Sequence, residues 1–419
     1  MKVLWLCNLV LPDFSEEFAI NRNNTGGWMS GMLYELEKVE DIDISLVFPI
    51  YDEKRLREGK RNGHDYYTFL SGTSEEDKVR MADTFVQILE KVKPDIVHIW
   101  GTEYYHAKAA VDASIRCQIL DRVIVDIQGL VSICAKHYAS GIPDSVIEKK
   151  DKNGGSILAE IEDFRNRGIN ERYIFEKIRN VCGRTDWDEM CVHQINLHVK
   201  YMACNRILRK GFYECEKSWN LQNCHRHTIF VSQGSYAIKG LHFLLKALPL
   251  ILERYPDTEV YVAGNNPMEM KKTGTVSAYG AYIAEIIEKN NLMEHIHFVG
   301  SLDENLMISR YLDANVFVSA SNIENNSNSV CEAMYLGVPV VASDVGGMSS
   351  IVQHKTDGIL YPFDAEYMLA GWVCKIFDSD DLAQQLSRGA RESAMNRHNP
   401  VMIGRIMIGN YVEVMNGQS

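Results

Sequence analysis

Ser321-Asn-Ile-Glu324-Asn-Asn-Ser-Asn328-Ser-Val-Cys-Glu332-Ala-Met-Tyr-Leu-Gly337-Val-Pro-Val340 decides the fold. It sets two carboxylates, Glu324 and Glu332, eight positions apart, with an Asn/Ser-rich stretch between them. A buried-strand pattern, Ala314-Asn-Val-Phe-Val-Ser319, comes before it, and a second apolar run, Val338 to Ala342, comes after Gly337. Strand, polar loop, short helix, glycine and strand make a βαβ unit. In open α/β sheets the ligand crevice lies at the carboxyl ends of the strands, where this loop falls. The helix start there offers unpaired N–H groups to a phosphate.

The same alternation extends in both directions. Toward the N-terminus, strand patterns at Lys2–Cys7, Asp43–Phe48, Asp95–Trp100, Arg122–Asp126 and Lys200–Cys204 alternate with helical spacing at 27–39 and 77–92. Residues 145–180 read as helical and highly charged, broken at Gly154-Gly155. Periodicity lapses over 216–227, then resumes with strands at 228–232, 259–263 and 297–299 and helices between them. The chain closes on helical patterns at 380–395 and 401–414. This alternation predicts parallel, doubly wound sheets. At 419 residues the chain exceeds the size of a single core. The expectation is an α/β protein of two Rossmann-like domains, 1–215 and 228–400, joined by a linker at 216–227.

Composition narrows the function. The chain is 46% apolar and 24% charged, as a globular protein is. A net charge of -12, with neither half basic, argues against nucleic-acid binding. No stretch reaches the roughly 18 apolar residues of a membrane span, and Met1-Lys-Val-Leu-Trp-Leu-Cys7 reads as a first strand rather than a leader. Ten cysteines without a C-x-x-C pair point to reduced thiols and a cytoplasmic protein. Asp378-Ser-Asp380 precedes a helix, so first-turn carboxylates explain it better than a metal site. No metal is expected. Asn8-Leu-Val-Leu-Pro12, after the first strand, lacks the G-x-G-x-x-G of dinucleotide enzymes.

Taken with their flanks, these motifs resemble family 4 glycosyltransferases, which have the GT-B fold. Glu324 and Glu332 match the family's E-x7-E; Glu332-Ala-Met and Gly337-Val-Pro-Val-Val-Ala-Ser-Asp-Val-Gly346-Gly347 match its continuation. Ile238-Lys239-Gly240, Gly300-Ser301-Leu302, Thr25-Gly26-Gly27 and Asp95-Ile-Val-His98-Ile-Trp-Gly101 fit as well. The resemblance implies two domains facing across a cleft, a C-terminal helix (401–417) crossing back to the N-domain, and a retaining, metal-independent transferase. The donor would be a nucleotide sugar, with UDP favoured, and the acceptor a sugar or lipid-linked sugar. Members of this kind build bacterial surface polysaccharides, which would bring a cytoplasmic enzyme to the inner membrane face.

The roles implied by the resemblance are specific. Glu324 would contact the donor sugar, Glu332 the ribose hydroxyls and Lys239 the leaving diphosphate. Gly300 and Ser301 would lie near the nucleobase, and the N–H groups of Asn328, Ser329 and Val330 would face the phosphates. Gly26 and Gly27 would sit beside phosphate or acceptor, with His106 or His137 nearby. The leaving phosphate, rather than a carboxylate base, would assist the acceptor proton. Three departures stand out. Gly234 occupies the place of a family arginine, Gln128 that of a histidine, and Asn325-Asn326-Ser327 that of Gly-Phe-Gly. They keep open a catalytically degenerate, nucleotide-sugar-binding scaffold, and a nucleotide-sugar epimerase is a further alternative.

Plainer readings exist for single residues. Ser329-x-x-Glu332 is also a capping box. Arg184-Thr-Asp186-Trp-Asp188 is either a buried Arg–carboxylate lock or an acceptor contact.

Overall fold

The computed structural model describes residues 1–20, 26–269 and 275–417. The chain forms two compact units. The first comprises Met1–Ser132, Arg165–Lys210 and the segment from His398 onward; the second comprises Ile133–Phe164 and Gly211–Arg397.

In the first unit eight strands form one sheet: β1 (Lys2–Leu6), β2 (Asp43–Ile50), β3 (Glu58–Arg61), β4 (His64–Leu70), β5 (Ile96–Trp100), β6 (Val123–Asp126), β7 (Asn180–Gly183) and β8 (Lys200–Ala203). Their order is β3-β4-β2-β1-β5-β6-β7-β8, parallel except for the β3–β4 hairpin. β1 pairs Val3 with Ile44 on one side and Ile96 on the other. It and β5 lie at the sheet centre and are apolar apart from Lys2 and His98, as strands buried on both faces largely are. The hairpin turns on Asn62 and Gly63, both at positive φ (52° and 86°), the geometry of a tight two-residue connection.

The C-terminal helix Pro400–Asn416 belongs to this unit. Its fully buried Tyr411 hydroxyl accepts from Trp5 Nε1 at 3.0 Å and donates to His98 Nδ1 at 2.7 Å. His98 stacks on Trp100 with ring centroids 4.0 Å apart. Burial, reinforced by the positive charge of Arg206, pushes His98 down to about 3, so the ring stays neutral and can accept from the tyrosine.

In the second unit six strands, all parallel, lie in the order β11-β10-β9-β12-β13-β14: β9 (Thr228–Val231), β10 (Glu259–Ala263), β11 (Ile296–Gly300), β12 (Val316–Ser319), β13 (Val340–Ser343) and β14 (Ile359–Tyr361). The edge-on contacts of Tyr311 with Phe230 and Phe317, at 5.1 and 5.2 Å, build its core.

The physical division departs from the linear one expected over 1–215 and 228–400. Residues 133–164 pack with the second unit. Asn322 Nδ2 donates to the Tyr138 carbonyl (2.9 Å), Lys246 to that of Gly141 (2.9 Å), and the His242 ring meets that of Ser140 (2.9 Å). Gly141, at φ +75°, leaves its Cβ space to the Phe243 ring. Nor is 216–227 a free linker. Trp219 donates from its backbone to Leu336 O and from its indole to Ala314 O, both at 2.7 Å. Among the described residues no helix is long and apolar enough to cross a membrane.

Tyr411→Phe should strand two buried polar groups, Trp5 Nε1 and His98 Nδ1. The expected loss is about 1–3 kcal/mol of unfolding free energy, read from the denaturant midpoint at unchanged slope.

Candidate active site at the strand ends

Lys239 and Glu324 lie 85 residues apart, yet their side chains form an ion pair with Nζ 2.5 Å from Oε1. Two glycines bring them together. At Gly240 (φ +67°) a Cβ would sit 1.8 Å from the carbonyl oxygen of Ala320, so the Lys239-Gly240 turn lies directly against the chain leaving β12. The Asn322 N–H closes that junction on Ile238 O at 2.8 Å. At Gly346 (φ +54°) a Cβ would lie 2.0 Å from Glu324 O, and the N–H of Gly347 donates to that same oxygen at 3.0 Å. Ser343 Oγ holds Ser321 O at 2.7 Å, and Ser321 Oγ donates to Glu324 Oε1 at 3.0 Å. The Glu324 carboxylate is thus aimed by three flanking segments. Its side chain is 12% exposed and that of Lys239 25%, so both are reachable without being solvated. Burial pulls the Lys239 ammonium down, but the adjacent Glu324 charge outweighs it and holds the group above its ordinary value.

The helix Asn328–Leu336 starts four residues after Glu324 and is closed by Gly337 at φ +80°. Its N-cap is Ser327, whose side chain makes no capping bond. The capping-box reading of Ser329 and Glu332 therefore fails: the helix starts two residues too early for Ser329 to be the cap. Glu332 falls in the second turn and is buried, 5% exposed. The Tyr311 hydroxyl donates to Ser329 O (3.0 Å) and lies 3.5 Å from Glu332 Oε2.

The ends of the neighbouring strands adjoin this pair. After β9, Gln233 Oε1 accepts from the backbone of Gly234 and Ser235 and from Ser235 Oγ. Gly264 (φ +89°) packs on that same oxygen and donates to Gly300 O at 2.8 Å. Gly300 itself has φ +73° with open space around it, and Ser301 is exposed. At Gly234 a Cβ would lie 2.8 Å from both Leu241 and Val262. No side chain, arginine included, fits there without displacing the core.

The residues expected in the N-terminal half fall in both units. Gly26 and Gly27 do start a helix, Gly27–Leu36, with Leu9 filling the Cβ space of Gly26 and Arg209 that of Gly27; Thr25 lies outside the described residues. His106 is buried and pushed down to about 3 by that burial. Its Nε2 donates to Asn8 Oδ1 at 2.8 Å. A ring so enclosed does not reach an acceptor; it orients Asn8. His137 is exposed and lies in the segment that packs with the second unit. Gln128 Nε2 is tied to Trp100 O at 3.0 Å.

The Arg184–Asp188 segment resolves as a helix cap. Thr185 and Asp188 form a capping box, and the Arg184 guanidinium donates to Ile127 O and Gln128 O. The buried Arg–carboxylate lock lies elsewhere, between Arg206 and Asp126 at 2.7 Å, with Arg206 stacked 3.6 Å over Trp28. Asp378 and Asp380 pair with Arg254 and Arg226 on the surface.

Both sheets are doubly wound and Rossmann-like, and the solved structures they resemble are GT-B glycosyltransferases. Sucrose-phosphate synthase from Thermosynechococcus elongatus superposes with a TM-score of 0.72 at 15% identity over 100% of both chains. Anabaena HepE, solved in complex with UDP-glucose, gives 0.64 at 15% identity, again over 100% of both. Likeness at such identity fixes the fold, which is GT-B. The sequence match lies in the second unit: residues 216–393 match the family described as Glycosyl transferases group 1. Among curated proteins, an uncharacterized glycosyltransferase of Methanocaldococcus jannaschii is 29% identical over 184 residues. That stretch is 44% of this chain and 44% of the relative, so the match spans under half the relative's length.

Gly346→Ala should force the Glu324 backbone away from a left-handed turn. A loss of about 1–3 kcal/mol is expected, measured as a lowered unfolding midpoint.

Proposed function

We propose that the protein is a glycosyltransferase that moves a sugar from a nucleotide-sugar donor to an acceptor hydroxyl. The observation that carries this reading is the Lys239–Glu324 pair, held by Gly240 and Gly346 beside an uncapped helix start with Glu332 buried beneath it. Each part suits one portion of the donor. The first-turn N–H groups of Asn328, Ser329 and Val330 face a diphosphate, and the helix dipole favours its charge. Lys239 supplies a preorganised cation where charge grows as the glycosidic bond breaks. Glu324 then exchanges part of its bonding to Lys239 for hydroxyls of the donor sugar. Glu332 has two oxygens to accept from two ribose hydroxyls.

In this reading Lys239 and the helix do the charge stabilisation that a metal would otherwise do, and the configuration at the sugar is retained. The leaving phosphate takes the acceptor proton. A uridine nucleotide is the favoured donor, as in the UDP-glucose complex of HepE, with Gly300 and Ser301 beside the base. The acceptor is a sugar or lipid-linked sugar of a surface polysaccharide, met by a cytoplasmic enzyme at the membrane face. A nucleotide-binding scaffold without activity is the second reading. It is favoured by Gly234, where no cation fits.

Glu324→Gln should abolish transfer while the protein still unfolds cooperatively. Glu332→Ala should weaken donor binding by about 1–3 kcal/mol, seen as a raised donor KM. Unchanged turnover in both variants would remove this site from the mechanism. A thermal-shift series with UDP, GDP and ADP, with and without EDTA, separates the readings further. A rise with one nucleotide that EDTA does not alter supports a metal-free donor site. Binding without turnover supports the scaffold.

A further inference from the structure

Glu103, which the donor site does not involve, is built into the first unit with the same care as Glu324 into the second. It follows β5, at the carboxyl end of a central strand. Asn8 follows the adjacent β1, and Gln128 the adjacent β6. Gly101, at φ +100°, makes their meeting possible. A Cβ there would lie 2.2 Å from Glu103 Oε2, 2.4 Å from Asn8 Nδ2 and 3.2 Å from Gln128 Cγ. The space a side chain would fill is taken by the Asn8–Glu103 hydrogen bond, 2.9 Å from Nδ2 to Oε2.

That bond has a fixed direction. His106 donates from Nε2 to Asn8 Oδ1, so the amide must present its NH2 to the carboxylate. A buried, neutral histidine thus sets an asparagine, and the asparagine sets Oε2 of a half-buried carboxyl group that also meets its own backbone N–H. A purely structural carboxylate in this fold looks different. Glu171 is fully buried and fully used, accepting from Val131 N, Ser132 N, Ser132 Oγ and Thr102 Oγ1.

We infer that Glu103 is an acceptor-binding residue whose Oε1 accepts a hydrogen bond from a hydroxyl of the sugar acceptor, with Asn8 and His106 as its positioning residues. This rests on the reading of the protein as a glycosyltransferase and adds to it where the acceptor is held. Gln128 contacts the same Gly101, so the place where related enzymes have a histidine adjoins the carboxylate instead. A carboxylate at this point favours neutral, hydroxyl-rich acceptors and disfavours ones with a negative charge at the contacted position.

The charge of Glu103 changes within the physiological range. Burial raises its carboxyl to about 7, helped by the like charge of Glu171 and opposed by its own backbone N–H, Arg206 and Asn8. His106, the remaining titratable neighbour, stays neutral throughout that window. The ionised form accepts the stronger hydrogen bond. Acceptor kcat/KM should therefore rise as pH increases through about 7 and fall below it.

The test compares wild type with Glu103→Gln, using the nucleotide sugar selected by the thermal-shift series and a panel of octyl glycosides as acceptors. Gln keeps the shape and can still accept from Asn8, so folding is preserved. The expected result is an acceptor KM raised about 10- to 100-fold, the range for one hydrogen bond to a charged group, an unchanged donor KM, and loss of the inflection near pH 7. Asn8→Ala should raise the acceptor KM as well and displace the inflection. Equal acceptor kinetics in wild type and Glu103→Gln, or an effect on donor KM alone, overturns the inference and leaves the functional reading standing. A wild-type protein that transfers to no glycoside overturns the functional reading, and this inference with it.

Discussion

The second unit depends on two places where backbone meets backbone with no room for a Cβ. Gly240 lies against the carbonyl of Ala320, and Gly346 against that of Glu324. Between them they grip the five residues that leave β12 and fix the direction of the Glu324 carboxylate. The chain conformation comes first and the chemistry follows. Lys239 reaches Glu324 because Gly240 lets its turn approach, and the helix from Asn328 begins where it does because Gly347 has already tied down Glu324. An ion pair between half-buried groups contributes little unless its geometry is held in advance; here the glycines hold it.

The parallel sheets are legible because the central parallel strands are mostly apolar and carry strong helix punctuation between them. The meeting of Lys239, Gly240 and Glu324 is legible because motif and strand end coincide. Other features left weaker traces. The edge strand Glu58-Gly-Lys-Arg61 is nearly all exposed and charged, as unpaired edges are, so it has no alternation to read. Its one signal is Asn62-Gly63, a tight-turn pair. β7 is four residues long and follows directly on a charged helix. The capping-box pattern at Ser329 does not form, because a local motif does not say where a helix starts. That was set by Ser327 and the constraints on Glu324.

Glu103 is the instructive omission. The criterion that singled out Glu324, a carboxylate in the loop after a buried strand, applies equally to Gly101-Thr-Glu103. By residue type the histidine three residues on is the stronger candidate, since histidine is the usual proton carrier at neutral pH. Burial reverses the roles. It removes His106 from the titrating range and brings Glu103 into it. Sequence shows residue type; which of two neighbours titrates depends on desolvation, which only the fold supplies.

Residues 133–164 are encoded within the first half of the chain but pack with the second unit, supplying the carbonyls that Asn322, His242 and Lys246 require. The linear halves of the gene are therefore not its interchangeable parts. A chimera joined at the 210–211 boundary would give the incoming half a foreign segment where Tyr138, Ser140 and Gly141 belong, and would leave Phe243 facing whatever replaces a glycine. The two units are consequently expected to evolve by substitution within a shared scaffold rather than by exchange of cassettes.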